Sequence, residues 1–238
     1  MTYKTTHNPI IVALDVESAA AARALVERIG PRVEFYKVGL ELFAAGGMDF
    51  VRELLAERKR VFLDLKFYDI PETVSRAVAR VAGSGVDFLT VHAVGSVMRA
   101  AVAARAGSGL RLLGVTVLTS FGPEDLEDLD YQGTIAELVA RRAHKAMEVG
   151  MDGVIASPLE ARAVRAIIGP EAVLVTPGVR SAGADKGDQR RVATPAQAVA
   201  DGASYVVMGR QITRAADPAA EIDRVLFELM HVPLPAAQ

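Results

Sequence analysis

Short apolar runs rich in β-branched residues recur along this chain, and between them lie segments whose apolar positions repeat every three to four residues. Ile10 to Leu14 (IIVAL) predicts a strand that closes on Asp15. Ser18 is placed to cap an alanine-rich helix running to about Ile29, which Gly30-Pro31 stops. A second strand is expected over Val33 to Val38, with Lys37 near its end, and helical periodicity over about Asp49 to Glu57. A third strand begins at Val61, and the helix after it ends near Gly83 and Gly85. Strands at Val86 to Val91, closing on His92, and at Leu112 to Leu118, ending at Thr119-Ser120, flank a helix over Ser96 to Arg105. Phe121 to Gly133 is polar and irregular and reads as a loop with one turn of helix. A strongly periodic helix follows over Thr134 to Val149, then strands at 153–156, 172–175 and 204–208 and helices at 158–168, 195–201 and 218–230.

Strand followed by helix, about eight times, with no two strands joined by a tight hairpin, requires a parallel sheet. In this length such units close into a barrel more readily than they lie open. The expected fold is therefore α/β: a single-domain (β/α)8 TIM barrel over 1–238, with tails at 1–8 and 232–238. An open doubly wound sheet is the alternative, weakened because no GxGxxG follows the first strand.

The stretch Val61 to Thr73, VFLDLKFYDIPET, departs most from a plain strand. Val61, Phe62 and Leu63 suit an enclosed pleated surface, but Asp64, Lys66 and Asp69 follow in quick succession. Alternation puts Asp64 and Lys66 on the face of Phe62, and Leu63 and Leu65 on the other. Charges clustered at the end of a buried strand are tolerable only when they pair. Pro71 then suits the first turn of a helix that Thr73, Val74 and Val78 continue.

Composition narrows the function classes. The chain has 238 residues, 51% hydrophobic and 24% charged, and its 27 basic and 29 acidic residues nearly cancel. That balance gives no general attraction to nucleic acid or to an anionic membrane. There is no cysteine, which excludes disulfides and thiolate metal sites and fits a reducing compartment. MTYKTTHNP lacks the apolar core of a signal peptide, and no run approaches a membrane span, so a cytoplasmic protein is expected.

Asp15, Lys37, Asp64 with Lys66, His92 and Thr119 each fall at the C-terminal end of a different expected strand. In a barrel those ends converge on the face that carries the chemistry. Any one of them alone reads as a cap or turn residue, and His92 fits equally a barrel residue with no part in a reaction. Two lysines and two aspartates at one level do not fit that reading. A second cluster is late: Pro177-Gly178-Val179-Arg180 follows the seventh strand and Gly209-Arg210 the eighth. Those two loops commonly hold phosphate in this architecture, where glycine admits the backbone and arginine clamps the anion. SAGADKGDQRR (181–191) between them suits a lid.

On these residues the sequence resembles the orotidine 5′-phosphate decarboxylase family. DLKFYDIPETV (64–74) is similar to that family's Asp-x-Lys-x-x-Asp-Ile-Pro-x-Thr-Val motif, with Tyr68 and Glu72 where members often carry His and Asn. ALD (13–15), YKVG (36–39), VTVLTS (115–120), TPGVR (176–180), GDQRRV (187–192) and GRQIT (209–213) match in the same order. The resemblance implies decarboxylation of orotidine 5′-phosphate to UMP in pyrimidine biosynthesis, without metal or other cofactor. It implies that Asp15 and Lys37 bind the ribose, and that Asp64, Lys66 and Asp69 surround the reacting carbon with Lys66 as proton donor. Thr119 would lie by the pyrimidine, Gln189 would bridge base and phosphate, and Arg180, Arg210 and the backbone at Gly209 would hold the phosphate. It further implies a homodimer in which Asp69, Ile70 and Thr73 enter the neighbouring subunit's site.

These residue types suit the reaction. Loss of CO2 leaves a carbanion in the ring plane, and a fixed cation beside it gains attraction as that charge develops. Carboxylates on either side favour the ammonium form of Lys66, making it an acid rather than a Schiff-base nucleophile. Asp64 is also expected to repel the substrate carboxylate. Two other readings stand beside this one. A related 3-keto-gulonate-6-phosphate decarboxylase would share the Asp-x-Lys-x-x-Asp core but need Mg2+. A non-catalytic UMP-binding barrel would have no use for a proton donor between two acids.

Overall fold

The computed structural model describes residues 8–181 and 193–230. Eight parallel strands close into one barrel: β1 (Ile10–Ala13), β2 (Phe35–Gly39), β3 (Arg60–Phe67), β4 (Phe88–His92), β5 (Arg111–Val115), β6 (Gly153–Ile155), β7 (Val173–Thr176) and β8 (Tyr205–Met208). Each pairs with the next in chain order, and Ile10 lying against Val206 closes the ring between β1 and β8. The expected TIM barrel is the observed fold. Around it run α1 (Ala19–Ile29), α2 (Leu40–Ala56), α3 (Pro71–Ala82), α4 (Gly95–Ala104), α5 (Pro123–Asp128), α6 (Ile135–Glu148), α7 (Ala161–Ile168), α8 (Pro195–Ala200), α9 (Arg210–Thr213) and α10 (Pro218–Met230). No helix among the described residues is long and apolar enough to cross a membrane.

Strand alternation divides the apolar residues into two cores. Val12, Val38, Leu63 and Leu89 point outward and pack under the helices. Ile11, Phe35, Phe62, Phe88, Val175 and Tyr205 point into the barrel. Each fully buried side chain of this kind contributes roughly 1.5–3 kcal/mol. The rings of Phe35, Phe62, Phe88 and Tyr205 meet edge to face, with centroids 5.0 to 5.9 Å apart. The Arg60 guanidinium lies 4.0 Å over the Phe35 ring and pairs with Asp87 at 2.9 Å. This aromatic layer fills the N-terminal part of the barrel, and polar residues occupy the same inward rows above it: Lys37 after Phe35, Asp64 after Phe62, Thr90 after Phe88.

Local signals explain most of the element ends. The Ser18 hydroxyl accepts from the Ala21 N–H at 3.1 Å, and Thr134 and Glu137 form a reciprocal cap on α6. β6 and β7 approach so closely at Gly153 that a Cβ there would stand 1.9 Å from the Val173 carbonyl oxygen. Three expectations need correction. α2 starts at Leu40 rather than near Asp49, with a kink at Gly47 (φ 54°, ψ −152°). Gly46-Gly47 hid its first half, which forms because Leu42 is buried against the core. β5 ends at Val115, not Leu118, because its neighbour β6 ends at Ile155 and leaves no further ladder to extend. The short helix α9, directly after β8, was not expected at all.

Candidate active site

A cavity of about 520 Å³ opens at the C-terminal mouth of the barrel. Its walls include Asp15, Lys37, Asp64, Lys66, Thr119, Arg180, Gly209 and Arg210. Eight of the twelve site residues that the resemblance implies thus share one wall system, although they span nearly 200 positions of chain. The ring order explains this: β8 pairs with β1, so the loops that follow β1, β2 and β3 and those that follow β7 and β8 all open on the same mouth, with β7 across the ring from β3.

One side of the cavity is a row of alternating charge. The Lys37 Nζ donates to Asp15 Oδ1 at 2.9 Å and lies 3.7 Å from Asp64 Oδ2, while the Lys66 Nζ donates to Asp64 Oδ1 at 2.9 Å. Exposure rises toward the opening: 9% for the Lys37 side chain, 17% for Asp64, 29% for Lys66 and 52% for Asp15. Burial by itself would raise the Asp64 carboxyl above the ordinary carboxylate range. Lys37, Lys66 and two donated hydrogen bonds outweigh it, and the net shift is downward. Asp64 is therefore an anion at neutral pH.

The presentation of Lys66 depends on a break in the strand. β3 pairs regularly with β2 up to Gly39 opposite Asp64. Against β4 its register shifts: Leu63 faces Leu89 and Phe67 faces Val91, so Asp64, Leu65 and Lys66 stand opposite Thr90 alone. Lys66 takes φ +48° within this bulge. A left-handed backbone costs a side-chain-bearing residue roughly 1–2 kcal/mol. The expected sharing of one face by Asp64 and Lys66 is present, but an irregular strand delivers it rather than simple alternation. Bulges beside active sites commonly re-aim a side chain in this way.

The opposite wall is cationic. Arg180 is buried and donates through Nη1 to the Val179 carbonyl at 2.7 Å. Gln211, on α9, accepts from the Ser181 N–H at 3.0 Å and donates to the Ser181 hydroxyl at 3.0 Å and to Glu221 at 2.7 Å. Through Gln211 the loop carrying Arg180 is stitched to the helix that begins with Arg210. A Cβ on Gly209 would meet only the Ala13 Cβ, at 3.7 Å, so packing does not demand glycine there, and its absence leaves backbone open to the cavity.

Three expected site residues lie outside this cavity's walls. Asp69 and Ile70 are exposed, with the Asp69 carboxylate accepting from the Ile70 N–H at 2.6 Å, and Thr73 is half-buried in the first turn of α3. Gln189 lies outside the described residues, as does the expected lid (181–191) apart from Ser181, the expected N-terminal tail (1–8) apart from Asn8, and the expected C-terminal tail (232–238). His92 lies against Tyr68, with ring centroids 5.2 Å apart and planes tilted by 56°. Burial, then the charges of Arg142 and Lys66, push its imidazole below the ordinary histidine range. Sequence reasoning missed Gly39, Thr90, Gln211 and Arg214. Arg214 also lines the cavity, one helical turn beyond Arg210, a spacing that GRQITR carried in plain view. Gly39 leaves room for the Lys37–Asp15 pair: a Cβ on it would stand 2.8 Å from Lys37 Nζ and 2.9 Å from Asp15 Oδ1 and displace those side-chain ends.

Residues 8–225 match the family described as "Orotidine 5'-phosphate decarboxylase / HUMPS family". The chain is 49% identical over 220 residues to the orotidine 5'-phosphate decarboxylase of Rhodopseudomonas palustris (strain BisB5), a match spanning 92% of this chain and 94% of that one. It is 50% identical over 220 residues to the enzyme of the same name from Methylobacterium radiotolerans, covering 92% and 95% of the two chains. Among solved structures, orotidine 5'-phosphate decarboxylase from Lactobacillus acidophilus superposes with a TM-score of 0.82 at 36% identity, covering 94% of this chain and 99% of that chain. An uncharacterized conserved protein from Geobacillus kaustophilus gives a TM-score of 0.80 at 35% identity, with 93% and 100% covered.

Proposed function

The chain belongs to the orotidine 5′-phosphate decarboxylase / HUMPS family, and on that premise we propose that its barrel-mouth cavity converts orotidine 5′-phosphate to UMP and CO2 in pyrimidine biosynthesis. The observation that carries the proposal is the Lys66 ammonium, held 2.9 Å from Asp64 inside a cavity whose far wall bears Arg180 and Arg210.

The ring order supports one way of reading the nucleotide along the rim. Phosphate sits by Arg180, Arg210 and the Gly209 backbone, after β7 and β8. The ribose hydroxyls meet Asp15 and Lys37, after β1 and at the end of β2. The pyrimidine then lies across the mouth, with C6 toward Lys66 on β3 and its far edge toward Thr119, beyond β5. Cleavage of the C6–carboxylate bond leaves an electron pair at C6. The Lys66 ammonium attracts that pair as it forms and then transfers a proton to C6, giving UMP. Asp64 places a second negative charge beside the departing carboxylate, which raises the ground state more than the transition state. Phosphate and ribose contacts lie away from the bond that breaks, and their binding energy holds the ring against Lys66. No step calls on a metal or organic cofactor.

Asp69, Ile70 and Thr73 complete the site from a second copy of the chain in a homodimer. Their position at the start of α3, outside this chain's own cavity and with Asp69 and Ile70 exposed, supports that reading. The Mg2+-dependent keto-gulonate phosphate reaction and a non-catalytic UMP barrel are disfavoured by relatives about half identical over nearly the whole chain that carry the decarboxylase name. The test is the fall in orotidine 5′-phosphate absorbance with and without EDTA. Equal activity in both is expected. Loss of activity on chelation rejects the cofactor-free mechanism, and UMP binding without CO2 release rejects catalysis.

A further inference from the structure

Three threonine hydroxyls are wholly buried in the barrel strands or just beyond their ends: Thr90, Thr116 and Thr176. Two of them are bonded as interior hydroxyls ordinarily are, to main-chain carbonyls: Thr116 donates to Ile155 at 2.8 Å and Thr176 to Tyr205 at 3.4 Å. Thr90 is different. Its Oγ1 donates to Asp64 Oδ1 at 3.0 Å and accepts the main-chain N–H of Lys66 at 2.9 Å. One hydroxyl therefore grips both charged residues at the reacting end of β3.

The bulge accounts for that arrangement. With three residues of β3 opposite one of β4, the Lys66 N–H has no ladder carbonyl to meet, and the Thr90 oxygen takes its place. The same oxygen's proton goes to the carboxylate oxygen that also receives the Lys66 ammonium, so Asp64 Oδ1 is held by two donors from different directions. Asp64 cannot turn without losing one of them. The backbone of Lys66 cannot relax from φ +48° without losing the other end of the same hydroxyl.

We propose that Thr90 is a positioning residue for the decarboxylation, its hydroxyl locking the Asp64 carboxylate and the Lys66 backbone turn to one another so that the ammonium is presented at a fixed place. The proposal rests on the function argued above, deepens it, and is separable from it. Thr90 is buried and is not among the residues that line the cavity. Its effect passes through the two residues it holds.

The experiment compares Thr90→Val, which keeps shape and removes the hydroxyl, with Thr90→Ser, which keeps the hydroxyl. Thr90→Val is expected to lower kcat for orotidine 5′-phosphate by roughly 10- to 100-fold. UMP has no carboxylate to set against Asp64, so its Kd should change by less than about threefold in the same variant. Thr90→Ser should return kcat to within about threefold of the parent. A valine variant with parental kcat overturns the proposal. So does a serine variant as impaired as the valine one, or an equal loss of kcat and UMP affinity, since each of these marks packing alone. If Thr90→Val fails to fold, Thr90→Ala supplies the same comparison. A crystal structure of the valine or alanine variant reads the coupling without any assay. Displacement of Asp64 or a changed Lys66 φ is expected, and an unaltered Asp64–Lys66 contact with φ unchanged overturns the proposal. A parent protein that releases no CO2 would instead refute the reaction, leaving the structural readout to judge the coupling.

Discussion

A methyl group on Gly39 would stand 2.8 Å from the Nζ of Lys37, so the close pairing of that lysine with its acidic neighbours depends on a residue with no side chain. The atoms in conflict are the free ends of side chains, which can move without disturbing the strands. Gly39→Ala is therefore expected to keep Tm within about 4 °C of the parent. It should weaken UMP binding roughly tenfold, equivalent to about 1.4 kcal/mol. Thermal melts and titration calorimetry on the same sample separate the two. A large drop in Tm with unchanged affinity would contradict this account of the glycine.

In the proposed mechanism Lys66→Ala removes both the attracting charge and the proton. General acid catalysis and electrostatic stabilisation together predict a fall in kcat of at least about 10⁴-fold. UMP should still bind, because Asp15, Lys37 and the arginines are untouched. Single-turnover kinetics and UMP binding check this, and near-parental UMP formation would remove Lys66 from the mechanism.

Asp64 gives a pH signature with a definite sign. Its folded carboxyl lies below its unfolded value, so between the two the unfolded chain binds more protons. The stability it contributes is fully present above the unfolded value, near pH 4, and is lost as pH falls through the folded one. The urea-midpoint difference between the parent and Asp64→Asn should be constant from about pH 8 to pH 5 and shrink below about pH 4. A difference that grows on acidification would mean Asp64 is not held as an anion.

The proposed phosphate contact of Arg210 predicts that it distinguishes substrates by that group. Arg210→Ala should lower kcat/KM for orotidine 5′-phosphate by about 10²-fold or more, the scale of a lost charge-assisted contact and the alignment it secures. Orotidine, which lacks the phosphate, should be decarboxylated by parent and variant at similar low rates. Equal sensitivity of both substrates would place Arg210 elsewhere in the reaction.

A shared site in a homodimer has a diagnostic of its own. Lys66→Ala and Asp69→Asn are each expected to be nearly inactive alone. Equal amounts mixed and allowed to exchange subunits should recover roughly a quarter of parental activity, because half the dimers then carry one intact site. No recovery despite proven exchange would confine Asp69 to its own subunit.

Much of the molecule follows from local pattern. Strand and helix periods, caps such as Ser18 and Thr134, and the lack of hairpin turns were enough to specify a closed parallel barrel. Lys66, Asp64, Lys37 and Asp15 were legible because charges at the ends of apolar strands are costly unless they meet. α2 and the end of β5 were misplaced where a tertiary contact overrode propensity: a buried Leu42 beyond a glycine pair, and the early end of β6.

Contacts that bridge distant segments belong to the tertiary structure alone. Thr90 looked like a routine strand residue, and Gln211 like part of a basic motif, because each acquires its meaning from a partner 24 to 30 positions away. The left-handed turn at Lys66 was equally invisible, since it arises from a mismatch in register between two strands and not from any residue's own preference. Residue types and their order along the chain decided which charges would reach the barrel mouth. Only closure of the ring, which sets neighbouring strands at a fixed stagger, decided which of those charges touch and which hydroxyl holds them there.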